Sequence, residues 1–282
     1  MRVYLYESTY TFPDPGNWTP GDNKVECLGA GGRGANPYTP FPNPGALPPV
    51  VGPGGGGGAY AWDINLNPAV WPVNVVIYWA GGNDGMTATS WDSYFWVEPP
   101  RPGMVVAHSG CGGISYVNPQ ITSYGGQGGG TNGDWQFTWT NFPADKSFNG
   151  GNGGAFGELH TGYGGGGGGA AGPSGAGAAG GHWNAGSVGG ASNGGTIPGS
   201  GPNAGGVSYP VWDSVHTIAG GGGGGVGAVP PDNGQFGSGT GSGDCTAYGT
   251  GYPGAGLLVL TWGTGEFLPP PPPGGAQAVV IG

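Results

Sequence analysis

The sequence predicts an all-β fold: a short-strand antiparallel sheet or sandwich, closed by a C-terminal strand and carrying a glycine-rich lobe of packed polyglycine-II-like helices. Of the 282 residues, 73 are Gly and 29 are Pro. Gly loses the most backbone entropy on ordering and Pro removes a donor and clashes with the preceding turn, so long helices are excluded. The apolar residues fall instead in short runs of period two. Finally, 11 Trp, 13 Tyr and 9 Phe accompany only 7% charged residues, the reverse of the aromatic-poor, charge-rich composition that keeps a chain disordered.

Residues 2–12 read as the first strand, with Val3, Leu5, Tyr4, Tyr6, Tyr10 and Phe12 suited to a pleated, half-buried surface. Pro13, Pro15 and Gly16 end it, Trp18 caps the junction, and residues 24–28 alternate as a second strand before Gly29. The Pro-rich tract 36–53 cannot be helical or a central strand and is expected to be an extended surface excursion. After the glycines 54–58, residues 59–66 have period two and residues 73–79 form a continuous apolar run of strand length. Residues 94–97, 104–107 and 135–140 are shorter strands, and no segment carries a helix signature.

Residues 150–254 are dominated by glycine blocks such as 164–169 and 220–225, without the strict three-residue repeat of collagen. Glycine chains in a threefold, polyproline-II-like helix point their backbone groups outward and make no internal hydrogen bonds. With no Cβ, neighbours approach closely and satisfy those groups from several sides. Residues 255–262 then form the clearest buried strand, whose plausible partners lie before residue 140, so the strand is expected to return to the N-terminal sheet. The organisation expected is a β-strand domain over 1–149, a glycine lobe over 150–254, a closing strand over 255–262 and a tail over 263–282. In that tail a proline run, 269–273, spaces a docking peptide containing Val279, Val280 and Ile281.

The net charge of -10 reflects scarce bases: Arg2, Lys24, Arg33, Arg101 and Lys146 are the only ones. Five scattered cations cannot form the stripe that neutralises phosphates, so no nucleic-acid partner is expected. No run of apolar residues is long enough for a membrane span, and the N-terminal segment lacks a signal peptide's apolar core. Cys27, Cys111 and Cys245 are odd in number and describe no disulfide framework, although one bridge among them stays open.

Catalytic and cofactor chemistry find little support. Residues 29–34 satisfy G-x-G-x-x-G after a strand, but the following Pro-rich stretch cannot supply the helix whose N-terminus holds a pyrophosphate. His108, His160, His182 and His216 lack closed zinc spacing, and His108 with Cys111 is the nearest approach to a nucleophilic pair. Asp63, Asp84, Asp92, Asp134, Glu158 and Asp213 are the carboxylates a glycosidase pair would draw on. No cofactor, metal or catalytic residue is assigned, and the chain is read as non-enzymatic.

Taken in order, several marks resemble the glycine-rich domain of bacteriophage minor tail and tail-fibre proteins. They are the Trp-Thr-Pro-Gly at 18–21, the strand-to-glycine passage at 25–32, and the glycines 54–58 leading into Ala59-Tyr60-Ala61. A strand ending at Ala80-Gly81-Gly82 and the closing run 256–262 complete the set, which spans residues 10–262. The resemblance implies a virion protein of the tail, a structural component or adhesin with a part in host attachment. It also implies other tail proteins as partners and a carbohydrate or protein receptor on the host. In some relatives loops at the tip of a polyglycine lattice touch the host surface. The Pro-rich insert 36–53 and the C-terminal tail depart from the family's pattern.

Trp183, Tyr209, Trp212 and Phe236 are the aromatic candidates for receptor contact. Their alternative role is to act as wedges covering the sides of the glycine lobe. No coiled-coil heptad specifies an oligomer number, so monomer and homo-oligomer both stand. A glycine-rich bacterial cell-surface protein and a tail-associated polysaccharide hydrolase are the rival readings.

Overall fold

The computed structural model describes residues 1–5, 9–34, 53–68, 71–77, 93–96, 105–111, 114–115, 123–124, 147–154, 165–182, 190–195, 206, 208–212, 217–218, 235–237, 239 and 254–266. Over these residues the chain is all-β, with no helix. The strands are β1 (Arg2–Leu5), β2 (Thr9–Phe12), β3 (Asn23–Leu28), β4 (Tyr60–Ile64), β5 (Val73–Val76), β6 (Ser93–Trp96) and β7 (Val105–Ala107). They continue with β8 (Ile114–Ser115), β9 (Ser123–Tyr124), β10 (Ser147–Phe148), β11 (Tyr209–Pro210), β12 (Thr217–Ile218), β13 (Gln235–Phe236) and β14 (Leu257–Trp262).

Two antiparallel sheets form the body. One has the order β1-β14-β3-β4-β10 and the other β2-β5-β6-β7. Smaller pairings are β11-β12-β13, in which β12 and β13 run parallel, and β8-β9. β14 lies between β1 and β3, with Leu258 opposite both Leu5 and Cys27, and Leu260 opposite both Val3 and Val25. That register puts Val3, Leu5, Val25, Cys27, Ala61, Leu258, Leu260 and Trp262 on one face, as the period of two demands. There they meet Val73, Val75, Phe95, Val105 and Ala107 of the second sheet in the main core. At about 25 cal/mol per Å² of apolar surface removed from water, this interface is the chief source of the body's stability.

The single strand expected over residues 2–12 is two. β1 pairs with β14 in the first sheet and β2 pairs with β5 in the second, with Phe12 opposite Val73. One chain segment thus switches sheets, a corner of the kind that joins the two layers of a sandwich. The expected strand over 135–140 lies outside the described residues.

The other face of the five-stranded sheet is covered too. Leu28, Tyr60, Leu257 and Val259 point away from the main core and pack with Ala170, Ala171, Ile218 and Phe236 in a second cluster. The segment 165–172 reaches this face through Ala170 and Ala171, while the glycine segments 29–32, 54–59 and 108–111 adjoin the ends of β3, β4 and β7.

Candidate functional site

In the glycine layer, residues three apart point the same way. In the segment 54–59, Gly54 and Gly57 donate to the carbonyls of Gly154 (3.1 Å) and Gly151 (2.8 Å). Gly56 and Ala59 donate to Cys111 and His108, each at 2.9 Å. The carbonyls of Gly55 and Gly58 accept from Gly168 (2.8 Å) and Ala171 (2.9 Å), and those of Gly56 and Ala59 from Gly32 (2.8 Å) and Gly29 (2.9 Å). Gly58 donates in a further direction, to Gly237 (2.7 Å). A β-strand repeats every two residues and bonds to neighbours on two sides. This segment repeats every three and bonds to more neighbours than a strand can have.

The segment 165–172 behaves alike. Gly166 and Gly169 donate to Gly181 (3.0 Å) and Ala178 (2.9 Å), while their carbonyls accept from Gly154 (2.7 Å) and Gly151 (2.8 Å). The carbonyls of Gly167 and Ala170 accept from Gly190 (2.9 Å) and Asn193 (3.0 Å). Close approach explains the composition. A Cβ on Gly54 or Gly57 would meet the backbone of Gly166 or Gly169, and one on Gly55 or Gly58 that of Gly32 or Gly29, all within the 3.0 Å that real Cβ atoms essentially never breach.

The layer recruits residues from both halves of the chain. Residues 29–32, 54–59 and 108–111 lie before the expected boundary at 150, yet they bond to one another and to residues 151, 154, 168 and 171. Each joins a strand directly: β3 runs into Gly29, Ala59 into β4, β7 into His108, and β10 into Asn149.

Beneath the layer lies a polar group that sequence reasoning missed. Glu26 is 3% exposed. It accepts a 2.5 Å hydrogen bond from the Tyr60 hydroxyl and pairs with Lys24 Nζ at 2.9 Å. Lys24 also lies 5.2 Å from the Trp62 ring centroid, within reach of a cation–π attraction. Burial, then the charge of Glu26 and its hydrogen bond, raise the Tyr60 pKa well above its usual value. Both carboxylate partners are therefore donors, and the buried charge is compensated as such a site requires.

The motif at 29–34 is not a phosphate cradle. The amides of Gly29, Gly31 and Gly32 donate to Ala59, Gly254 and Gly56, and that of Ala30 to Ser109 Oγ. Four successive donors are thus used within the protein. His108 and Cys111 are three apart because their carbonyls receive Ala59 and Gly56: the spacing is that of the layer. Cys27 and Cys111 are both buried thiols, and Cys27 Sγ lies 2.9 Å from the Ser93 carbonyl. Among the described residues no group of three His, Cys, Asp or Glu could hold a metal, and no helix is long and apolar enough to cross a membrane.

Of the receptor candidates, Phe236 is buried at 9% exposure, against Leu28, Ile218 and Leu257. Trp212 is half-buried against the same cluster. Tyr209 begins β11, opposite Ile218. Trp183, the docking residues Val279, Val280 and Ile281, Cys245, His160, His216 and the candidate carboxylates Asp84, Asp92, Asp134, Glu158 and Asp213 lie outside the described residues. Asp63 Oδ1 accepts from the Ile64 amide. Compared with known proteins, the chain matches no family model and no curated sequence.

Proposed function

We propose that this chain is a non-enzymatic structural protein of a bacteriophage virion, a minor tail or tail-tip component with a part in host attachment. Its glycine segments are polyglycine-II-like helices packed as a lattice. Their threefold repeat and multiple neighbours are what that helix produces, because its backbone groups leave in three directions. β14 closes the lobe, holding its two ends on one sheet.

The observation that carries the reading is the polarity of the layer. Gly54, Gly154, Gly166 and Gly181 are joined in one chain of hydrogen bonds at 2.7–3.1 Å, at the end away from the strands. In sequence, Trp183 follows directly on Gly181 and His182 at this end. A side-chain-poor layer bonded in several directions is a stiff support of the kind a tip protein needs to present recognition loops. Trp183 is the aromatic contact for a host carbohydrate or protein receptor, and residues 279–281 add as a strand to another tail protein.

Immunogold labelling of intact phage-like particles, with antibody raised against this chain, tests the assignment. Label at the distal tail is expected. Label on the head would replace attachment with decoration, and no label on any particle would favour the cell-surface alternative. Deleting residues 269–282 should abolish incorporation into particles; a truncated chain that still assembles refutes the docking role.

A further inference from the structure

At the pole opposite the glycine layer the sandwich carries a row of aromatic rings. Trp18 lies 5.6 Å from Trp71 and 6.3 Å from Phe95, and Phe12 lies 6.2 Å from Trp71. Trp262 touches both Phe12 and Trp18, at 6.4 and 5.6 Å. Trp262 and Phe95 are sealed in the core, at 1% and 0% exposure. Phe12, Trp18 and Trp71 are only half-buried, and Asn17, Thr19, Pro20 and Pro72 around them are exposed. The Trp18 and Trp262 indole N–H groups donate to Leu66 O (3.0 Å) and Asn17 Oδ1 (2.9 Å). No described residue accepts from that of Trp71. Three adjacent rings are thus partly open here, with one donor beside them.

The same pole is where the described chain ends. Positive φ at Gly263 (62°) and Gly265 (77°) folds the chain back after β14. Gly263 donates to Asp22 O at 3.1 Å and Gly265 to Asp22 Oδ2 at 2.5 Å. Gly263 and Gly265 are therefore held against Asp22, in the turn that follows Trp18, and Glu266 comes next in the chain. From there Pro269 is three residues on, within about 10 Å for extended chain.

We propose that this aromatic row holds the chain's own proline run, residues 269–273, as a polyproline II helix. Proline-rich segments in this conformation dock on aromatic-lined grooves because the helix is preformed and loses little entropy on binding. The dimensions agree: five prolines span about 15 Å, and Trp18, Trp71 and Phe12 are spaced at 5.6 and 6.2 Å. The Trp71 N–H supplies the donor that a proline carbonyl accepts. Residues 267–282 contain no charged side chain, so docking desolvates no ion. The run then acts as an anchored arm, from which residues 276–281 emerge at a fixed place. This inference is independent of any virion role.

Full-length protein labelled with 5-fluorotryptophan tests it by ¹⁹F NMR, with the Trp18, Trp71 and Trp62 signals assigned by Trp→Phe substitution. Replacing all five prolines with Ser should shift the Trp18 and Trp71 signals and leave Trp62, on the opposite face of the sheet, in place. Unmoved Trp18 and Trp71 signals overturn the proposal. So does a shift that appears only as protein concentration rises, which would assign the run to a second copy. A Trp71 signal that responds to added maltooligosaccharide but not to the proline replacement would make the row a sugar platform instead. In the otherwise native chain, Trp71→Ala should speed chymotryptic cleavage after Phe267 by roughly fivefold or more, because cleavage tracks the undocked population; an unchanged rate counts equally against docking.

Discussion

Adding one methyl group at Gly57 should cost far more than the same change at Gly21. A Cβ on Gly57 would fall against the carbonyl of Gly169 and the amide of Ala170, whereas one on Gly21 meets nothing within 4 Å. Both obstacles at Gly57 are backbone, so no side chain can swing aside. The segments must separate, which strains the 2.8 Å bond from Gly57 to Gly151 and the neighbouring one from Gly168 to Gly55. Overpacking by a methyl costs about 1–3 kcal/mol, and each weakened buried hydrogen bond about 1 more. Gly57→Ala should therefore destabilise by about 3–5 kcal/mol, against a total of roughly 5–15 for a native domain. Gly21→Ala should instead be neutral or stabilise by up to about 1 kcal/mol, through the unfolded chain's lost entropy. Urea unfolding followed by tryptophan fluorescence measures both, as shifts in midpoint at constant slope. Values for the two variants within about 0.5 kcal/mol of each other, the usual scatter of surface substitutions, would refute the close-packed reading of the layer.

Two further outcomes follow from the cluster beneath the layer and one from the connecting segments. The neutral Tyr60 phenol is favoured in the folded state, so its contribution is fully present below the unfolded value near 10. That contribution is lost as pH rises through the higher folded value. In a 295 nm titration one tyrosine should resist ionisation until the protein unfolds, and Tyr60→Phe should remove that resistant step. Phe236→Ala opens a cavity against Ile218 and Leu257 and should destabilise by about 3 kcal/mol, again read by urea midpoint. Trp183→Ala, by contrast, should leave the midpoint unchanged and reduce adsorption to host cells; unchanged adsorption by the folded variant removes Trp183 from the receptor contacts.

The sheets were legible where side chains alternate. Residues 24–28 alternate and 257–262 form a nearly continuous apolar run, and they pair as β3 and β14. The corner between β1 and β2 was hidden because Tyr4, Tyr6 and Tyr10 continue one alternation across it. Glu26 drew no notice for a related reason: in Lys24-Val25-Glu26-Cys27-Leu28 it occupies the polar phase of the alternation. Its face also carries Tyr60 and Val259, which pack with Ile218, Phe236 and Ala170 in the second cluster, and only those long-range contacts reveal the burial. The layer itself left the weakest trace. Glycines carry no side-chain pattern, and pairings such as Gly32 to Gly56 and Gly31 to Gly254 are long-range. Sequence could register the texture of residues 150–254 but not the recruitment of 29–32, 54–59 and 108–111.

That recruitment has an energetic reason. A bundle of glycine buries almost no apolar side chain, so it lacks the main driving force of folding. Each glycine also costs about 0.5–1 kcal/mol more backbone entropy than alanine would. Hydrogen bonds, worth about 1 kcal/mol net apiece, cannot offset that cost for a loose chain. The cost falls when the ends of a segment are already fixed. Leu28 is held in β3 before Gly29 begins, Tyr60 in β4 after Ala59, Ala107 in β7 before His108, and Leu257 in β14 after Gly256. Each of these short segments is thus entered or left through an ordered strand, and the ordering cost is largely met by the sandwich's own core. Among the described residues no strand adjoins the longer segment 165–172, and it contributes Ala170 and Ala171, both at 0% exposure, to the apolar cluster against Tyr60 and Val259. Alanine is accommodated there because the segment meets the apolar cluster, and glycine stands at positions such as Gly54 and Gly57 because the backbone leaves no room.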